Sequence, residues 1–360
     1  MPRLMLKILH LAAGNRWTGA AAPAFAEVEA LRAAGVDAHY AYVGGYKLEE
    51  KLRRHDFAHP LIEKAQNPFA FRRTLNVLHR MVDHHRFDVI HAHLTYDHWI
   101  ARFLAQGHDL AVARTFHARR VLRSDPFTRS LIRKTKLLCV VNDTFRDAAP
   151  LAGRNALFTP PPLDHRQFDP VGADVRITYN IPDNARLLTV IGKLAPGRGF
   201  EDALRTFALV RREVPMARMM VIGHGPHRPV LEQLARDLEI APDVLWAGYH
   251  EDDLTEHYRA SDLLLFTARG SDEGHRAILE AMACGVPPAV FPIDGVQALL
   301  GEHAPQLVAD HATPEALAVK VTARLAQDLR PMRTGVAAHS QQFGYRAAAG
   351  RLIAAYSAVL

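Results

Sequence analysis

The stretch from Asp262 to Phe291 constrains the fold most. It opens with a short apolar run, Leu263-Leu-Leu-Phe266, passes through Gly270-Ser-Asp-Glu-Gly-His275 and continues into an apolar helical segment. Gly285-Val-Pro287 stops that helix, and Ala289-Val-Phe291 follows as a second apolar run. Strand, acidic glycine-containing loop, helix and strand in this order make a parallel crossover unit. Ligands of such sheets bind beyond the carboxyl ends of the strands, at the N-terminus of the next helix. Asp272, Glu273, Gly274 and His275 fall at that place, with Glu280 about two turns into the helix. Two readings are open from these residues alone. Asp272 caps the helix and Glu280 is a solvated acid, or the acids meet a ligand.

The same alternation runs through the whole chain. Leu6–Leu11, Ala38–Val43, Val89–His91, Ala111–Thr115 and Leu137–Val141 read as strands of a first half, with a helix over Ala24–Ala34 closed by Gly35. Leu187–Ile191, Met219–Ile222, Val244–Ala247, Leu263–Phe266 and Ala289–Phe291 supply a second set. Between the sets lies the proline-rich segment Phe158–Pro170, which reads as a connection. At 360 residues, 49% hydrophobic and 23% charged, the chain is long enough for two domains with full cores. An α/β architecture of two Rossmann-like halves is expected, with Phe343–Leu360 as a last helix. Cys139 and Cys284 lie in apolar runs and read as buried small hydrophobes, which suits a reducing, cytoplasmic setting.

Charge divides unevenly. Residues 1–165 hold 24 Lys and Arg against 15 Asp and Glu, a balance of +9. The remainder holds 20 against 23, or −3, for the net +6. The basic stretches Phe69–Arg86 and Arg119–Lys136 suit peripheral docking on an anionic bilayer, or are ordinary helices with solvated basic faces. No interleaved aromatics accompany the basic residues, so a nucleic-acid partner is not expected. Lys7 and His10 interrupt the apolar N-terminal run, which reads as a buried strand rather than a signal peptide. No apolar segment is long enough to suggest a membrane span.

Two loops have the chemistry of an anion site. Gly192-Lys193-Leu-Ala-Pro-Gly-Arg198-Gly199 follows the first strand of the second half, and two cations five residues apart can clamp a diphosphate as its charge grows. Gly14-Asn-Arg-Trp-Thr-Gly19 precedes a helix, whose N-terminus favours an anion. His91 and His93 stand two apart at a strand end, a metal-ligand spacing that lacks a third ligand in the local sequence; no metal is expected.

The acid, seven residues, Glu280 and Ala-Met-Ala-Cys-Gly-Val-Pro together resemble the retaining nucleotide-sugar glycosyltransferases of family 4, with the two-domain GT-B fold. The resemblance covers most of residues 5–325 and is densest between 187 and 290. It implies that Glu280 binds the donor ribose and that the first acid lies against the transferred sugar. Asp272 stands where Glu is usual, with Glu273 beside it, so either acid can meet the sugar. Lys193 and Arg198 resemble the family's phosphate-binding pair with Arg and Lys exchanged. Gly223-His-Gly225-Pro resembles the turn that shapes the nucleotide pocket, and Trp246-Ala-Gly-Tyr249-His250 the segment whose backbone meets the donor base. Gly274, His275 and Gly19 would also contact the donor. His117, closing Thr-Phe-His, resembles the histidine that reaches the donor sugar. Asn15, Arg16, Trp17 and His93 would line the acceptor side, where Trp17 either stacks on a sugar or packs.

On this resemblance the domains are 1–163 for acceptor, 164–335 for donor, and 336–360 as a helix returning to the first domain. The family's Pro-Asn-Gly-Val-Asp is replaced by Pro160-Pro-Pro-Leu-Asp164, a stiffer connection. The implied activity is retaining, metal-independent transfer from a UDP- or GDP-sugar to a glycan or lipid-linked acceptor, with no cofactor, in cell-envelope or exopolysaccharide synthesis. The donor's own phosphate oxygen would take the acceptor proton. The rivals are a GT-B epimerase or hydrolase, which would not need an acceptor, and a silent GT-B subunit that serves as a binding partner.

Overall fold

The computed structural model describes residues 5–17, 19–64, 67–269 and 275–360. It forms two compact units, one of residues 1–162 with 343–360 and the other of residues 163–342. The first unit holds strands β1 (Lys7–Ala12), β2 (Asp37–Val43), β3 (Ala58–Ile62), β4 (Val89–Ala92), β5 (Ala111–Phe116), β6 (Leu137–Val140) and β7 (Ala156–Phe158). Their order in the sheet is β3-β2-β1-β4-β5-β6-β7, and every pairing is parallel. β3 and β7 lie outside the strands expected from sequence. Both are edge strands, where Pro60 costs no ladder bond and three residues suffice.

Side chains alternate between the faces of this sheet, and both faces are covered. Ile8, Ala12, Tyr40, Val89 and Ala113 face the helix Ala21–Ala33 and the terminal helix Tyr345–Val359, through Val28, Leu31, Leu352 and Tyr356. Leu9, Leu11, Ile90 and Val112 face the helices Pro68–His85 and Thr95–Leu104. The first helix begins a turn earlier than expected, with Pro23 in its first turn where a missing N–H costs nothing. The returning segment begins at Phe343, not 336. Val336 is fully buried, His339 Nε2 donates to Leu299 O at 2.9 Å, and Ser340 pairs with His165, so residues 336–342 complete the second unit.

The second unit holds β8 (Arg186–Ile191), β9 (Ala217–Ile222), β10 (Val244–Gly248), β11 (Leu263–Phe266) and β12 (Pro288–Val290). Their parallel order is β10-β9-β8-β11-β12. One face packs Leu188, Val190, Val221 and Leu265 against Phe200, Phe207, Leu317 and Val321 of flanking helices. Cys139 and Cys284 are free and buried, as their apolar settings suggest. No described helix is long and apolar enough to cross a membrane.

Neutral histidines inside the first unit make it sensitive to acid. His39 Nδ1 meets His59 Nε2 at 2.9 Å, and burial lowers both rings, His59 to about 4. Burial also lowers His98 to about 3, where its Nε2 pairs with Thr135 Oγ1. Below about 6.5 the unfolded chain takes up protons that these folded rings refuse, so their contribution to stability falls as pH falls. The melting temperature is expected to drop between pH 7 and pH 5, followed by circular dichroism. Replacing His59 and His98 by Gln is expected to flatten that drop; an unchanged acid limb would assign it to other groups.

Candidate functional site

In each sheet the chain leaves one strand to build one side and later returns to build the other. In the second unit this reversal lies between β8 and β11, and it opens a crevice at their carboxyl ends. The loop Gly192–Gly199 forms one wall. Lys193 is exposed on it, and Arg198 is half-buried and engaged with a neighbour. On the other wall, the helix Arg276–Ala283 starts at His275, whose backbone is left-handed at φ 49°. His275 Nε2 donates to Asp294 O at 2.7 Å, which leaves Nδ1 as an acceptor with no described partner in a buried setting. Asp272, Glu273 and Gly274 lie outside the described residues.

Glu280 is buried, not solvated. Arg276 Nε donates to its Oε1 at 2.6 Å and Tyr258 OH to its Oε2 at 3.2 Å. Tyr258 is fully buried on the helix Leu254–Ala260, with its hydroxyl pushed well up by burial and by Glu280. That pair fixes the carboxylate. Tyr258 was invisible as a site residue in the sequence, because an apolar aromatic position carries no motif.

Backbone packed on backbone joins the walls. A Cβ on Gly199 would stand 2.5 Å from the Thr267 carbonyl, and Thr267 Oγ1 donates to Gly199 O at 2.6 Å. A Cβ on Gly223 would lie 1.8 Å from Gly192 O, and one on Gly225 2.0 Å from Leu194 O. Leu194 N donates to His224 O at 3.0 Å, and His227 N to Leu194 O at 3.2 Å. The Gly223–Gly225 turn therefore has a packing role that alone demands glycine. Tyr249 is exposed and its ring meets His224 edge-on. The His250 ring is held by Asp253 at Nδ1, 2.9 Å, and by Ala247 O and Tyr179 OH at Nε2.

In the first unit the reversal lies between β1 and β4. Gly14–Gly19 follows β1, and His93 follows β4. Asp97, missed by sequence reading, ties the two: its Oδ1 accepts from Ala13 N and its Oδ2 from Leu94 N, each at 2.8 Å. Burial raises Asp97 to about 6, against the pull of Arg114 and those amides, while burial lowers Arg114 to about 10. Both are buried, and Arg114 Nε and Nη1 have no described partner. His93 Nδ1 pairs with His117 Nε2 at 2.9 Å. Burial holds His117 down at about 3, so it is a neutral hydrogen-bonding ring. Trp17 is half-buried and packs edge-on against Phe25 at 5.6 Å, with Lys51 over its ring. Asn15 is half-buried, while Arg16 and Gly19 are exposed.

Residues 174–341 match the family model described as Glycosyl transferases group 1. The chain is 28% identical over 209 residues to the D-inositol 3-phosphate glycosyltransferase of Segniliparus rotundus, covering 56% of this chain and 46% of that one. It is 29% identical over 188 residues to a GDP-mannose-dependent phosphatidylinositol monomannoside mannosyltransferase of Mycolicibacterium smegmatis, covering 49% of each. The chain thus spans about half the length of these curated relatives. Anabaena HepE in complex with UDP superposes with a TM-score of 0.81 at 16% identity, covering 98% of this chain and 100% of that one. The chain has the GT-B fold, and the matches support placing it in the group 1 GT-B superfamily.

The glycine packing yields a stability test. Gly225→Ala is expected to cost about 3 kcal/mol or more, because the clash is with backbone. Gly19→Ala meets no atom within 4 Å and should cost only the left-handed strain, about 1–2 kcal/mol. Urea unfolding of both variants measures the contrast.

Proposed function

We propose that the chain is a retaining glycosyltransferase that moves a sugar from a UDP- or GDP-sugar to a glycan or lipid-linked acceptor. The observation that carries this reading is the crevice between β8 and β11. A loop bearing Lys193 and Arg198 forms one side, and a buried, tyrosine-oriented Glu280 the other. Lys193 and Arg198 offset the charge that grows on the departing diphosphate. Glu280 accepts from the ribose hydroxyls, and Tyr258 acts on it as a positioning residue. His275 and the acids Asp272 and Glu273 hold the sugar. The diphosphate oxygen takes the acceptor proton as the new glycosidic bond forms on the face the leaving group quits. In this reading protein cations, not a metal, carry the leaving-group charge.

The Mycolicibacterium relative is named for GDP-mannose and the Anabaena structure holds UDP, so both bases belong in the test. Nucleoside-diphosphate release from UDP-, GDP- and ADP-sugars, with glycan and lipid acceptors, is expected for one donor. Glu280→Ala and Lys193→Ala should each lower kcat/KM about 100-fold or more. Tyr258→Phe should raise the donor KM about 10-fold with kcat little changed. Silence across the panel in the folded wild type would instead favour a non-catalytic GT-B subunit.

A peripheral membrane setting at the cytoplasmic face suits a lipid-linked acceptor. Phe69 and Phe127 are 77% and 70% exposed at the first turns of the helices Pro68–His85 and Pro126–Arg133. Arg120, Arg123, Arg129 and Lys134 are exposed nearby in sequence to Phe127. Such a basic stretch with an exposed aromatic fits an anionic interface. Sedimentation with phosphatidylglycerol vesicles is expected, weakening with salt. Phe127→Ser combined with Arg123→Glu should reduce it several-fold. Equal binding to phosphatidylcholine vesicles would count against the electrostatic part.

A further inference from the structure

We propose a binding site for a divalent transition-metal ion, zinc in the first instance, inside the first unit, formed by His10, Glu27, His91 and His93. The sequence offered only His91 and His93. The sheet adds His10, which is the register partner of His91 on the adjacent strand, and the helix Ala21–Ala33 lowers Glu27 onto the same face. All four are buried. One donor atom from each lies within 4.8 Å of the others.

Glu27 marks the centre. Its Oε2 is buried with no hydrogen-bond partner. Three imidazole nitrogens surround that oxygen: His10 Nδ1 at 3.8 Å, His91 Nδ1 at 3.9 Å and His93 Nε2 at 3.8 Å. These separations are too long for hydrogen bonds. A tetrahedral zinc site has donor atoms about 3.3 Å apart, given Zn–N and Zn–O bonds of about 2.0–2.2 Å. Small rotations that shorten the three Glu27 separations, and open the 2.9 Å His10 Nδ1–His93 Nε2 contact, would enclose an ion.

The outer nitrogens are already arranged for it. His91 Nε2 meets Thr115 Oγ1 at 2.7 Å, and His93 Nδ1 meets His117 Nε2 at 2.9 Å. His10 Nε2 lies 3.5 Å from Tyr356 OH. Ligating histidines hold their second nitrogen in this way, which fixes the tautomer. On binding, the hydrogen between His10 and His93 moves to His10 Nε2, where Tyr356 oxygen accepts it. The Tyr356 proton turns away from His91 Nδ1, its partner at 2.5 Å. The imidazole protons are conserved, each inner lone pair is freed for the ion, and the proton held by buried Glu27 goes to solvent as its carboxylate takes the ion. Three imidazoles and one carboxylate are a donor set suited to zinc and its first-row neighbours.

A second group, His250, Asp253 and His257, comes equally close. Its imidazole nitrogens are committed elsewhere: His250 to Asp253, Ala247 O and Tyr179, and His257 to Asp253 O and Tyr179. No orphaned oxygen marks it among the described residues. The ion in the first unit would clamp β1, β4 and the first helix, and through His93 it would hold His117 in place.

The test uses the full chain without an affinity tag, stripped with chelator, loaded with Zn²⁺ or Co²⁺ and desalted. Elemental analysis should find about one zinc per chain, and Co²⁺ should give the visible d–d bands of a four- or five-coordinate nitrogen–oxygen site. Zinc should raise the melting temperature by about 5 °C or more. Glu27→Gln, near-isosteric, should lose the ion and the bands, and Asp253→Asn should keep both. Thr115→Val, which leaves all four ligands in place, should weaken retention about 10–100-fold and stands in should Glu27→Gln not fold. Retention unaffected by Glu27→Gln, loss in Asp253→Asn, or absence of ion and bands in the wild type would each overturn the site.

Discussion

The second unit depends on backbone packed directly against backbone beyond the carboxyl ends of β8, β9 and β11. Carbonyls of Gly192, Leu194 and Thr267 occupy the space where Cβ atoms of Gly223, Gly225 and Gly199 would stand. No side chain separates the loops, so their relative position is set by backbone contact and hydrogen bonds rather than by rotamers. The Lys193–Arg198 loop is therefore held in a fixed arrangement against the carboxyl ends of β9 and β11. A site that must stabilise charge as it develops needs such fixed groups, because reorganisation during the reaction raises the barrier.

The first unit solves a different problem. Its sheet is covered on both faces, yet the face beneath the first and last helices holds His10, Glu27, His91 and Thr115 among apolar neighbours. Buried polar groups are expensive unless they find partners. The imidazoles do so in a chain through Thr115, His117 and Tyr356, and Asp97 does so with three backbone amides. Within the His10–His91–His93 cluster Glu27 Oε2 finds no hydrogen-bond partner, and that gives the cluster a chemical direction. Tyr356 also makes the terminal helix a partner in the network, so that the returning segment is part of the polar core as well as its cover.

Much of the fold was legible because parallel α/β units write themselves as apolar runs separated by helix-period segments. Ten of the strands follow that rule; β3 and β7 do not, since edge strands tolerate proline and need few residues. The site was legible where chemistry is local, as in the Gly192–Gly199 loop or the spacing that leads to Glu280. It was illegible where partners are remote. Tyr258 lies 22 residues from Glu280, and Asp97 84 residues from Ala13.

The sequence by itself determined the class of architecture, the positions of the cationic loop and the acidic helix, and the glycines that close packing requires. These follow from periodicity and from steric rules that act over a few residues. Only the tertiary structure decided which buried groups face one another. Strand register set His10 beside His91, helix packing brought Glu27 over both, and the terminal helix supplied Tyr356. Those meetings depend on the order of strands in the sheet and the seating of helices upon it, and contacts between residues up to 346 positions apart leave no pattern in a single chain.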